Sequence, residues 1–152
     1  MLKKSVKHSI MVDGNGILHP REFGLACHLG VLSHLPTIGV GKNLHHVDGL
    51  NQSEVRLQLK ENEYEQVITL VGNSGFTWGV VRFRPTLSSL KPIYISVGHR
   101  ISLDSAVEIV KMTCNYRVPE PIRQADMRSR AYLQKHQTEP FKSTCTATTG
   151  SD

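Results

Sequence analysis

Asp13-Gly14-Asn15-Gly16 sets a carboxylate where an apolar run, Val6 to Val12, gives way to two glycines. Two readings stay open for it. Asp-Gly and Asn-Gly are strong signals for a tight turn. An acid at a strand end, beside backbone that a ligand can approach closely, also suits a metal ion held against a phosphate. Lys42 follows Gly39-Val40-Gly41, and a lysine at a strand end can meet a phosphate as a point charge. Asp126 is a second acid: Ile122, Asp126, Ser129 and Leu133 are spaced by four, three and four, so a helix would carry them on one face. With Ala125 and Leu133 turned inward, that acid would need a cation, either an arginine or a metal. His99, in Gly98-His99-Arg100, could bond a phosphate or a carboxylate or simply cap the sheet, and His19, beside the glycine-rich turn, could contact nucleic acid or simply staple the loop. His45-His46 lacks the i, i+4 spacing of a helical zinc pair.

The elements around these residues suggest an α/β domain. Val6 to Val12 and Thr37 to Val40 read as short buried strands joined by a helix from Glu22 to His34. Phe23, Ala26, Cys27, Gly30 and Val31 give that helix one apolar stripe. Such a strand-helix-strand unit predicts a parallel pair, with Asp13 and Lys42 at neighbouring carboxyl ends, where open α/β sheets gather ligands. Gln52 to Gln66 is polar, a short helix or a surface excursion. Val67 to Val71 and Phe76 to Phe83 flank Gly72-Asn73-Ser74-Gly75 and predict a hairpin. After a surface loop from Pro85 to Lys91 comes a third candidate for the central sheet, Pro92 to Val97, which would put His99 in a position equivalent to Lys42. Ser102 can cap the next helix, and Pro121 suits the first turn of a last one ending near Gln134. Residues 1–136 form one domain in this reading. The Thr- and Ser-rich stretch 137–152 has no periodicity and is expected to be disordered.

Composition narrows the classes. The chain has 152 residues, 39% of them hydrophobic, enough for one real core. No apolar run is long enough to cross a bilayer, and the start lacks the apolar region of a secretory signal, so a cytoplasmic or nuclear, including nucleolar, location is expected. Cys27, Cys114 and Cys145 are few and scattered, against a disulfide framework or zinc knuckle; Cys27 and Cys114 read as small core residues. A net charge of +5 suits a polyanionic partner, while 6% aromatics speaks against a base-stacking sheet.

Val12 to Arg21, Phe23-Gly24-Leu25-Ala26, Pro36 to Leu44, Val97-Gly98-His99-Arg100 and Pro119 to Asp126 together resemble endonuclease V, in order over most of the chain. The Arg-Gln-Ala-Asp form resembles the animal members. The resemblance implies a ribonuclease H-like mixed sheet flanked by helices, and cleavage at the second phosphodiester bond 3′ to inosine with Mg²⁺ or Mn²⁺. The partner would be inosine-containing single-stranded RNA or, as in DNA repair, deoxyinosine-containing DNA, bound by a monomer. Asp13 and Asp126 match metal-binding acids, and Lys42 matches the lysine near the scissile bond. Gly14, Gly16 and His19 match the loop that accommodates the flipped base, and His99 falls in a matching block as a nucleic-acid contact. The family carries upstream strands with a further aspartate, a glutamate and a tyrosine wedge, whereas Asp13 is the first acid here. The expectation is therefore an N-terminally truncated form of reduced or no activity, or alternatively a non-catalytic nucleic-acid-binding derivative.

Overall fold

The structure, a computed structural model, describes residues 8–60, 64–84 and 91–137. Its elements run β1 (Ile10–Asp13), α1 (Leu25–Ser33), β2 (Thr37–Gly41), α2 (Gln52–Lys60), β3 (Gln66–Val71), β4 (Thr77–Phe83), β5 (Ile93–His99), α3 (Leu103–Thr113) and α4 (Glu120–His136). One mixed sheet of order β1-β2-β5-β4-β3 organises them. The predicted parallel pair is present: β1 and β2 run together with Asp13 opposite Val40. The hairpin is present too, as β3 against β4, with Gly75 at φ 83° in its turn, where glycine is unstrained. Part of the expected first strand, most of the 85–91 loop, Cys145 and the 138–152 tail lie outside the described residues.

Each face of the sheet has its own core, because alternate residues of a strand point to opposite sides. Leu18, Leu44, Leu50, Val55, Leu59, Trp78, Val81 and Tyr94 pack on the face covered by the 42–50 segment and α2. Ile38, Val40, Ile93, Ile95, Ala106, Val110 and Ile122 pack on the opposite face, under α3 and α4. α1 lies on the first face beside β2, since a Cβ at Gly30 would overlap His99 and Thr37. Ser102 caps α3 as predicted, accepting from Ser105 N at 3.2 Å, and Pro121 sits in the first turn of α4. Burial pushes the Cys27 and Cys114 thiols up, and both are small residues buried against the core. No helix among the described residues is long and apolar enough to cross a membrane.

Three expectations need correction. α1 starts at Leu25 rather than Glu22, because Glu22 has φ 54° and Gly24 is extended. Its stripe buries Ala26, Cys27 and Gly30 but leaves Phe23 and Val31 half exposed. β5 runs antiparallel to β2, with His99 opposite Thr37, so His99 lies at the end of the sheet away from Lys42.

Candidate functional site

Asp13 and Lys42 meet where two parallel strands end side by side. Lys42 Nζ donates to Asp13 Oδ2 at 3.1 Å, and both side chains are about half exposed. The two residues share a sheet face with Met11 and Val40, the face covered by α3 and α4. α4 crosses close to β1 there. Lys42 and Asp126 line one cleft of about 240 Å³ together with Tyr116, Arg117, Val118, Ile122 and Arg123. Arg123 stacks over the Tyr116 ring at 4.8 Å, which holds a guanidinium at the cleft.

Asp126 is not on a packed helix face. Among the described residues of α4 only Ile122 is buried, and Ala125, Asp126 and Leu133 are all exposed. Asp126 Oδ1 instead accepts from Arg130 Nε at 3.2 Å, one turn along the same helix. Its closeness to the site comes from the anchoring of the first turn of α4, not from an inward stripe.

The Gly14–His19 segment turns from the carboxylate side onto the other face. Gly39 has no Cβ, so Asn15 and Gly16 can lie directly on β2. Gly16 N donates to Ser96 Oγ at 2.8 Å inside the core, and Leu18 anchors the segment at 0% exposure. Asn15 Oδ1 stands over Gly41, buried and without a hydrogen-bond partner among the described residues. An orphaned buried acceptor is costly unless a donor reaches it. His19 Nδ1 accepts from Arg21 N at 3.1 Å, which leaves Nε2–H as donor in the neutral ring. His45 meets His19 edge to face, with ring centroids 5.4 Å apart.

The structure thus brings Asp13, Lys42 and Asp126 to one place, with Gly14, Gly16 and His19 on the adjoining loop. It separates His99, which packs beside α1. Tyr116 and Arg117 line the cleft without having been singled out in the sequence, where the irregular 114–118 stretch carries no periodicity to mark them, and Arg123 joins them from the first turn of α4. For a metal ion the site offers two carboxylates, Asp13 and Asp126. No group of three or more His, Cys, Asp or Glu among the described residues could hold an ion. The two carboxylates are each paired with a cation, which an ion would have to displace, with water and substrate oxygens completing its octahedron.

An acid and a lysine at adjoining parallel-strand ends, beside a glycine-rich loop laid on the sheet, stand where open α/β sheets gather ligands. The Endonuclease V family profile matches residues 1–127. The chain is 48% identical over 128 residues to mouse Endonuclease V, covering 83% of this chain and 38% of the mouse protein. It is 46% identical over 129 residues to human Endonuclease V, covering 83% of this chain and 45% of the human one. The crystal structure of the human enzyme superposes at TM-score 0.76 with 45% identity, over 84% of this chain and 54% of that one. A Ciona intestinalis Endonuclease V in complex with a 24mer DNA containing an inosine followed by a ribo-adenosine superposes at 0.73 with 37% identity, over 84% and 55%. The chain belongs to the Endonuclease V family. It spans about half the length, or less, of the relatives it matches.

Proposed function

We propose that this protein is an inosine-directed nucleic-acid hydrolase whose reacting phosphate lies at Asp13, Lys42 and Asp126. The observation that carries the reading is the 3.1 Å Asp13–Lys42 pair at the ends of two parallel strands, in a cleft shared with Asp126. Lys42 would exchange Asp13 for a non-bridging phosphate oxygen when a strand binds. Arg117 adds positive charge at the same cleft, and Arg123 adds a guanidinium that is paired with Glu120. The Gly14–His19 loop, with the orphaned Asn15 Oδ1 and the His19 ring, would receive the extruded base. The neighbour solved with inosine-containing DNA supports this choice of base.

RNA is the proposed strand and scission the second phosphodiester 3′ to inosine, with Mg²⁺ or Mn²⁺ as the proposed ion. Asp13 and Asp126 would hold such an ion with waters and the bound phosphate, but Lys42 and Arg130 occupy them, so the chain is proposed to cleave weakly or to bind without cleaving. We place it, as a monomer, in the cytoplasm or nucleus.

Labelled single-stranded RNA with one inosine, the matched adenosine strand, and deoxyinosine DNA would each be incubated with the chain and Mn²⁺. Inosine-dependent cutting supports the hydrolase. Inosine-dependent binding without cutting selects the non-catalytic reading. Equal treatment of inosine and adenosine strands overturns both.

A further inference from the structure

A second basic hollow lies at the same end of the sheet as Lys42. It measures about 400 Å³ and is lined by Glu65, Val67, Arg82, Arg84, Lys111 and Cys114. Arg82 is 4% exposed, an unusual residue to bury within a strand. Its Nε and Nη2 both reach Glu65 Oε1, at 2.8 and 2.6 Å, so Glu65 is committed to neutralising it. Arg84 and Lys111 form no ion pair among the described residues, and both are exposed. Among the described residues the hollow therefore carries two positive charges with no ion-pair partner, beside an ion pair whose arginine is buried and whose glutamate is partly exposed.

Strand register fixes its relation to the cleft. Gly41 pairs with Tyr94, so Lys42 stands at the level of Ile93, and Ile93 pairs with Arg82. Lys42 and Arg82 thus occupy one rung, on one face, two strand spacings or about 10 Å apart. The rim between them is basic as well. Arg117 donates from Nε to Lys91 O at 2.9 Å and from Nη2 to Pro92 O at 3.2 Å, which pins the α3–α4 connection across the start of β5. Basic side chains consequently run from Lys42 and Arg123, paired with Asp13 and Glu120, past Arg117, to Arg84 and Lys111, unpaired among the described residues.

We propose that the Arg82–Arg84–Lys111 hollow is a second phosphodiester-binding site, gripping the backbone of the strand whose reacting phosphate lies at Lys42. From the proposed function this takes only that the ligand is a nucleic-acid strand. It does not depend on inosine or on cleavage. Lysine and arginine that meet phosphates without touching bases give affinity independent of sequence and steeply dependent on salt.

The test uses the full chain and an inosine-free single-stranded RNA of about a dozen nucleotides, within the usual site size of strand binders. Beside it stands a dinucleotide with a single phosphodiester. Affinities would be read by fluorescence anisotropy and competition across a salt series, for the wild type, the double variant Arg84→Ala/Lys111→Ala and the charge-keeping Arg84→Lys/Lys111→Arg. The expected result is a loss of long-strand affinity in the alanine variant, with the slope of log affinity against log salt reduced by about 1.4 for two lost contacts. Dinucleotide binding and melting temperature should stay put, and the charge-keeping variant should bind like the wild type. Unchanged long-strand binding in the alanine variant overturns the proposal, as does an equal loss for both ligands. So does a wild type that binds no long strand, or a hollow that an acidic peptide fills and RNA does not. Failure of inosine-dependent cutting with the predicted change in salt slope would leave this site standing and remove only the proposed reaction.

Discussion

Asp13 and Lys42 are 48% and 43% exposed, and an ion pair so open to water contributes under ~1 kcal/mol to stability. The pair adds little to the fold. Asp13→Ala should therefore move Tm by less than about 4 °C in a thermal melt while removing whatever cutting the chain performs. Asp48 has the opposite character. It accepts from Trp78 Nε1 at 3.0 Å, from Ser74 N at 3.1 Å and from the Ser74 hydroxyl, tying the 44–50 segment to the β3–β4 hairpin. The hydrogen bonds from the Ser74 and Trp78 side chains hold its carboxyl below the usual range. A lowered folded pKa means the stabilisation is present in full above the unfolded value and fades as pH falls through the folded one. Melts from neutral pH into the acid range should show the wild type losing stability there. Asp48→Asn should begin lower at neutral pH and lose less on acidification.

Among the elements, α4 governs the site most directly. Its 17 residues are held through Ile122, which is 4% exposed in the core beneath α3 and α4, and through a first turn in which Glu120 accepts from Arg123 at 3.1 Å and from Gln124 at 2.7 Å. Ile122→Ala should cost about 2–4 kcal/mol in denaturant unfolding. It should also loosen Asp126 and lower nucleic-acid affinity more than stability loss alone explains. Asp126→Ala, on an exposed surface, should leave unfolding unchanged. The sequence could not place this helix face. Ile122, Ala125 and Leu133 form an apolar stripe at helical spacing, and a stripe reads the same whether or not another element covers it. In the structure only its first turn is covered.

For the molecule as a whole, what was legible followed from local chemistry. The 3.6-residue stripe around Ala26 and Cys27, flanked by apolar runs too short for helices, predicted the β1-α1-β2 unit and with it the meeting of Asp13 and Lys42. Glycine, asparagine and serine at 72–75 predicted the hairpin. Strand direction was not legible, because Ile93 to Val97 is equally apolar read either way. Its antiparallel run sends His99 to the far end and brings Arg82 to the near one. Residues contributed by irregular backbone, Tyr116 and Arg117, carried no pattern. The same antiparallel strand therefore explains one misplaced residue and one unforeseen basic hollow.

The central claim is that Asp13, at the end of β1, serves nucleic-acid scission beside inosine. The direct measurement is mapped cleavage of inosine-containing single-stranded RNA by the wild type and by Asp13→Ala, both shown folded by circular dichroism, with Mn²⁺ present. A weak cut at the second phosphodiester 3′ to inosine, lost in Asp13→Ala while RNA binding persists, is the predicted result. Cutting by the variant at the wild-type rate and position would contradict it.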